Sequence, residues 1–308
     1  MPLVNLRSLI EEAETNKHAL AGFNILNLEM TEGVVEVAKT LGVPVILNVH
    51  PDQIIHSSLE MIAAMVKEIA VRVKVPVVLH LDYASNFSIL REAISCGFTS
   101  LMFVAPAELS FEEIIRETRS AAELSHSNDL LLESEFKSEG NNGITDPDQA
   151  ERFIRETGVD ILSPQIGTSH GGGKADLDLE LLKVIKQKAK CYISLHGGSG
   201  VEDTIIQKAI GIGINKASVY SQISKSAIEK MKERLGSGDV PDMVEASGII
   251  KDAVKKTVTD RLNVLSMRKI DTLHKPGSPL NSGPGHYMDS LVRDVTRQVM
   301  KKSKTEDQ

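Results

Sequence analysis

Eight short apolar runs, each followed by a stretch of helical periodicity, predict an α/β chain: a (β/α)8 barrel, or TIM barrel, with a C-terminal helical extension. Eight such units favour closure over an open doubly wound sheet. Two more observations agree. Polar groups sit where apolar runs end, in His80-Leu81-Asp82-Tyr83, Thr168-Ser169-His170-Gly171 and Leu195-His196-Gly197-Gly198, and a barrel would bring those ends to one mouth. No Gly-x-Gly-x-x-Gly follows the first run, which lowers the dinucleotide-binding alternative.

Taken in order, Leu3, Leu6, Leu9, Ile10 and Ala13 have helical spacing over 3–14. The first strand spans 21–26, with Asn24 inside it. A helix over 30–41 stops at Gly42, and the second strand covers 43–50. After a helix over 59–73 comes the strand 75–82. Its apolar half, Val75 to Leu79, breaks into His80, Asp82 and Tyr83, and a strand buried on both faces has no structural need of a carboxylate there. Helices over 87–95 and 111–125 flank the strand 98–104. The fifth strand, 129–136, carries Glu133 and Glu135. A helix over 149–157, a strand over 159–166, a helix over 179–188 and a strand over 191–196 follow. The last unit is a helix over 202–210 and a strand over 214–220, with helices continuing to about residue 270.

Beyond that point the texture changes. Residues 274–285 are rich in Gly, Pro and Ser and read as a linker. Met288, Leu291, Val292, Val295 and Val299 then share one helical face, and 301–308 read as a tail. The expected domains are therefore 1–270, the barrel, and 271–308, a linker, amphipathic helix and tail. One such helix cannot bury itself alone, so packing on its own barrel or on a partner subunit is expected.

A net charge of −7 leaves no basic stripe to collect phosphates, which argues against nucleic acid as a partner. No apolar run approaches a membrane span, and residues 1–14 are amphipathic and acidic rather than a signal peptide. Cys96 and Cys191 have no Cys-x-x-Cys spacing and read as buried reduced thiols. The expectation is a cytoplasmic protein that meets no membrane.

Closure would place Asn24, His50, Asp82, Tyr83, Glu133, Glu135, His170, His196, Ser218 and Ser221 on one face. Two imidazoles with carboxylates there suit a divalent metal such as zinc; the same histidines can instead bond backbone or phosphate, and both readings stand. His18, His50, His56 and His126 read as loop or surface histidines. The glycine runs Gly171-Gly172-Gly173 and Gly197-Gly198-Ser199-Gly200, with Ser218 and Ser221, suit an anion cradle of backbone amides, and so an anionic substrate.

These residues carry a resemblance to the class II, metal-dependent ketose-bisphosphate aldolases, the tagatose- and fructose-bisphosphate branch above all. The segments that carry it are Gly22-Phe-Asn-Ile-Leu-Asn27, His80-Leu-Asp82, Glu133-Ser-Glu135, Ile166-Gly-Thr-Ser-His-Gly171, Leu195-His-Gly-Gly-Ser199 and the strand around Lys216. The resemblance implies zinc-dependent retro-aldol cleavage of a ketose phosphate to dihydroxyacetone phosphate and an aldehyde, in a homodimer or homotetramer. By the same resemblance Asp82 is the catalytic acid/base, His170 and His196 are two of three zinc histidines, and Glu135 is an alternate metal carboxylate. Gly171, Gly198 and Ser199 fall on the phosphate loop, and Asn24 on a substrate-side Asn. The chain departs from the family at several of its sites. Tyr83 stands where the third zinc histidine belongs, and Val104 where an Asp joins the alternate metal site. The loop at 140–143 lacks its acidic residues, and Ser218 replaces a substrate-contacting Asn beside the bulky Tyr220. Three readings follow: an aldolase, a non-catalytic homologue that binds a sugar phosphate or serves as a structural or regulatory subunit, and an enzyme turned to another aldehyde or a non-phosphorylated substrate.

Overall fold

The computed structural model describes residues 3–138, 143–167, 176–238 and 240–267. The extension expected over 271–308 lies outside them, as does most of the 140–143 loop. The described elements run α1 (Arg7–Asn16), β1 (Leu20–Asn24), α2 (Leu28–Leu41), β2 (Val45–Val49), α3 (Leu59–Ala70), β3 (Val77–Ala84), α4 (Phe87–Ser95), β4 (Ser100–Phe103) and α5 (Phe111–His126). They continue with β5 (Leu132–Ser134), α6 (Pro147–Thr157), β6 (Ile161–Leu162), α7 (Leu179–Ala189), β7 (Tyr192–Leu195), α8 (Asp203–Ile212), β8 (Ile214–Val219), α9 (Ser221–Leu235) and α10 (Met243–Leu265). Every neighbouring pair is parallel, and β1 pairs with both β2 and β8, so the sheet closes in sequence order. The (β/α)8 barrel expected from the sequence is the fold that forms.

Local chemistry sets the helix ends. Asn27 caps α2 by accepting from Met30 N at 3.0 Å, and Gly42 closes it in the left-handed conformation at φ 68°. Ser110 and Glu113 form a reciprocal capping box on α5. The first helix starts at Arg7 rather than residue 3, because Val4 N donates to Val77 O at 2.9 Å and the opening residues run along the foot of β3. Strands are shorter than the apolar runs that announced them. Those runs mark burial, whereas a ladder needs register partners; Asp129, at φ 57°, belongs to the turn out of α5 and cannot begin a strand.

Two layers fill the fold. Leu47, Leu79, Leu81, Phe103 and Leu195 join Val34, Val66, Leu90 and Ile185 of the helices in one apolar cluster. The alternate residues of those strands face the barrel axis, and many of them are polar. Lys216 on β8 meets Glu133 on β5 at 2.6 Å, Ser194 on β7 donates to Glu133 at 2.5 Å, and His80 on β3 lies 3.2 Å from Lys216. None of these contacts joins neighbouring strands, so each passes through the interior.

The Lys216–Glu133 pair is fully buried on both sides. Glu133→Gln would leave the ammonium without its counter-charge, and about 3–5 kcal/mol of stability should be lost. The reading is a lower urea midpoint at unchanged slope; a loss under about 1 kcal/mol would show that the pair does not support the barrel.

Candidate active site

His80 lies level with Asn48 on β2 and Ser100 on β4. Its Nδ1 is 2.9 Å from Ser100 Oγ and its Nε2 is 3.2 Å from Lys216 Nζ. An ammonium only donates, so Nε2 accepts and Nδ1 carries the proton. Burial, then the Lys216 charge, push the His80 pKa down to about 3, so the ring is neutral at ordinary pH. Burial also works against the Glu133 charge, yet Lys216 and the His196 hydrogen bond hold that carboxyl well below the usual range. Glu133 Oε2 takes Lys216, while Oε1 takes Ser194 Oγ and, at 2.7 Å, His196 Nε2. Burial opposes charge on His196 as well, but the Glu133 bond outweighs it and raises the imidazole pKa.

Asp82 stands two residues further along β3, on the same side of the strand as His80. It is 2% exposed. Its Oδ2 accepts from Asn24 Nδ2 at 3.0 Å, whereas its Oδ1 has no hydrogen-bond partner among the described residues and lies 3.9 Å from His80 Nε2. Asn24 Nδ2 also reaches Gln53 Oε1 at 3.2 Å, and Asn48 Nδ2 bridges Asn24 Oδ1 at 3.4 Å and Ser218 Oγ at 3.0 Å. The absence of a side chain at Gly22 makes room, since a Cβ there would stand 2.9 Å from the Asn48 amide.

Strict alternation would turn Tyr83 outward. Instead the β3–β4 register shifts between Leu81 and Ala84, and Tyr83 sits at φ 50°, a conformation that bulky residues rarely adopt. The shift brings the ring to the mouth. It meets His196 edge-on at 5.2 Å between centroids and stacks on His50 at 5.4 Å. The hydroxyl donates to Glu135 Oε2 at 3.2 Å. Burial, then the charges of Glu135 and Asp82, raise the Tyr83 pKa, so the phenol is neutral; burial raises that of Glu135 too.

A family model described as Fructose-bisphosphate aldolase class-II matches residues 4–269. The chain belongs to that family. An Escherichia coli K12 relative named "Uncharacterized protein YdjI" is 32% identical over 267 residues, covering 82% of this chain and 94% of the relative. A fructose-bisphosphate aldolase of Staphylococcus aureus (strain Mu50) is 29% identical over 279 residues, 85% of this chain and 96% of its own. The crystal structure of the YdjI aldolase from Escherichia coli K12 superposes with a TM-score of 0.78 at 29% identity, covering 87% of this chain and 100% of that one. A putative fructose-1,6-bisphosphate aldolase from Coccidioides immitis, at 24% identity, shares the fold with a TM-score of 0.75 over 87% of this chain and 98% of that one.

Within this class II aldolase barrel, Asp82, Asn24, Tyr83, Glu135, His196 and Ser218 come together as the sequence suggested. Gly198 and Ser199 lie in a half-buried turn after β7, where Ser199 O accepts from Gln222 Nε2 at 3.1 Å, and Ser221 opens α9. His170 and Gly171 lie outside the described residues. The ends of their loop are clamped: Asp178 N donates to Ile166 O at 2.9 Å, and Gly167, at φ 99°, has no room for a Cβ beside the Asp176 carbonyl. Val104, where the family has an Asp, only donates its N–H to Ala84 O at 2.9 Å. His50, which closure was expected to bring to the mouth without a role there, stacks on Tyr83, and its Nδ1 accepts from Asp52 N at 3.2 Å. Sequence reasoning gave no role to Lys216, Asn48, Ser194 or Gln53. For Lys216 and Asn48 the signal was present: a charge or an amide inside an apolar strand.

The donor set can be tested against zinc. A metal-bound histidine usually has its second nitrogen backed by a carboxylate, and Glu133 backs His196 through Nε2, leaving Nδ1 for a metal. Tyr83 fails the same test, being a neutral phenol bonded to a carboxylate where the family has an imidazole. Among the described residues no group of three or more His, Cys, Asp or Glu is arranged to hold a metal ion. They do not fit the three-imidazole zinc site of the family.

Two predictions follow from this geometry. Tyr83→His should raise zinc affinity by about tenfold or more in a chelator-competition titration, since it restores an imidazole beside His196. No gain would mean that the mouth has been rebuilt rather than depleted. The second concerns acid. Below about pH 6.5 the unfolded chain takes up a proton on His80 that the native state refuses until about pH 3. The depressed Glu133 acts in the same direction at lower pH. His196 and Glu135, whose pKa values are raised, act the other way, so the His80 contribution is read by difference. From pH 7 to pH 4.5 the urea midpoint should fall further in wild-type protein than in His80→Gln, and an equal change in the two would contradict a neutral His80.

Proposed function

We propose that this chain is an aldol lyase that cleaves a ketose phosphate to dihydroxyacetone phosphate and an aldehyde, and runs the reverse condensation, with Asp82 as acid/base. One observation carries the reading: Asp82 is buried at the barrel mouth with one oxygen held by Asn24 and the other without a donor among the described residues. A buried acceptor left unpaired is costly unless a ligand satisfies it. A substrate hydroxyl is such a donor, and a carboxylate is the group that takes its proton when the neighbouring carbon–carbon bond breaks. Asn24, itself fixed by Gln53 and Asn48, holds the carboxylate in place while the proton moves. The turn at Gly198 and Ser199, with Gly171, suits the substrate phosphate by resemblance to the family.

Assembly as a homodimer or homotetramer and a cytoplasmic location belong to the same proposal and rest on the resemblance; the resemblance also implies zinc, whose three-imidazole site the described residues do not fit. Val240, Met243 and Val244, exposed at the start of α10, are compatible with a subunit contact. Among the described residues no helix is long and apolar enough to cross a membrane. The neutral Tyr83 phenol favours a second reading, a non-catalytic homologue that binds a sugar phosphate or serves as a structural or regulatory subunit.

A coupled assay on fructose and tagatose bisphosphates separates the two. Turnover that drops by about 10²–10⁴-fold in Asp82→Asn supports the lyase. Calorimetric binding of dihydroxyacetone phosphate without turnover on either ketose supports the binder.

A further inference from the structure

We propose that Tyr83 is the electrophile of this site: its hydroxyl donates to the ketose carbonyl oxygen, so that aldol chemistry here proceeds without a metal ion. The inference rests on the lyase reading above and departs from what the family implies about zinc. Three features of the fold carry it. Adjacent residues of a regular strand face opposite ways, yet Asp82 and Tyr83 both face the mouth, because the register shifts between Leu81 and Ala84 and Tyr83 takes φ 50°. A bulky side chain in that conformation persists only where its surroundings fix it, and such positions cluster at functional sites. Here the His50 and His196 rings hold it from two sides, at 5.4 and 5.2 Å. Lastly, the resting bond from the phenol to Glu135 measures 3.2 Å, long for a hydroxyl on a carboxylate, where about 2.5–2.7 Å is usual. A donor held loosely is one a stronger acceptor can take.

The step balances without an added reagent. Asp82 Oδ1 takes the proton of the hydroxyl on the carbon that leaves as the aldehyde. The bond from that carbon to the carbon beside the carbonyl breaks, and its electron pair moves to the carbonyl oxygen. That enediolate oxygen accepts the hydrogen bond of Tyr83 Oη, and the phenol keeps its proton. The proton on Asp82 then passes to the carbon that lost the aldehyde, which restores the ketone and the carboxylate. A donor fixed in a site sheltered from water stabilises a developing oxyanion far more than it would in bulk solvent.

The test is deuterium uptake from heavy water into dihydroxyacetone phosphate at the carbon that forms the new bond, followed by NMR with the full-length chain. Wild-type protein dialysed against EDTA should catalyse the uptake, and added zinc should not increase it. Tyr83→Phe should slow it by about 10²–10³-fold with ligand affinity kept within a few-fold. Uptake lost in EDTA and restored by zinc would overturn the inference while leaving the lyase reading intact, and so would wild-type uptake by Tyr83→Phe. No uptake by wild-type protein in either condition would overturn both. The comparison of wild-type protein with and without zinc decides the matter even if the Phe variant fails to fold.

Discussion

The Glu133 carboxylate, sealed inside the barrel, is the constraint from which the rest of the site follows. Three donors converge on it: Lys216, Ser194 and His196. Its charge is tolerable only because those donors reach it, and the Lys216 charge is tolerable only because Glu133 does. With Lys216 fixed as an ammonium, His80 must accept through Nε2, and its neutral tautomer is determined. One buried charge pair thus sets the protonation of one ring and the orientation of another.

The interior is built in two tiers. The lower tier, from Ser100 through His80, Lys216 and Glu133 to Ser194, satisfies its own hydrogen bonds. The upper tier does not: Asp82 Oδ1 and Asn48 Oδ1 are buried without partners among the described residues. Between the tiers, His196 has one nitrogen bonded downward to Glu133 and its ring against Tyr83. A sealed floor beneath unpaired acceptors is what a ligand pocket needs, since the floor keeps its geometry while the upper groups exchange partners.

Architecture was more legible in the sequence than chemistry. Strands buried on both faces leave continuous apolar runs, and eight of them with helices between define a closed sheet; the runs overshoot the ladders because burial extends past pairing, as at 159–166 against Ile161–Leu162. Asp82 and His196 were legible as polar residues where apolar runs stop. The inward turn of Tyr83 was not, because alternation points it outward and only the register shift reverses it. The Lys216–Glu133 pair was illegible for another reason: 83 residues separate the partners, and no local pattern ties one to the other. His50 was legible as a residue of the mouth but not as a partner of Tyr83, because their stacking exists only once β2 and β3 lie side by side.

The most direct test of the part assigned to the buried charge pair is the state of the His80 ring, read from imidazole nitrogen chemical shifts of labelled protein between pH 7.5 and 5. A neutral ring protonated on Nδ1 throughout that range is the predicted result. An imidazolium signal from His80 that grows in as the pH passes an ordinary histidine value would contradict the account.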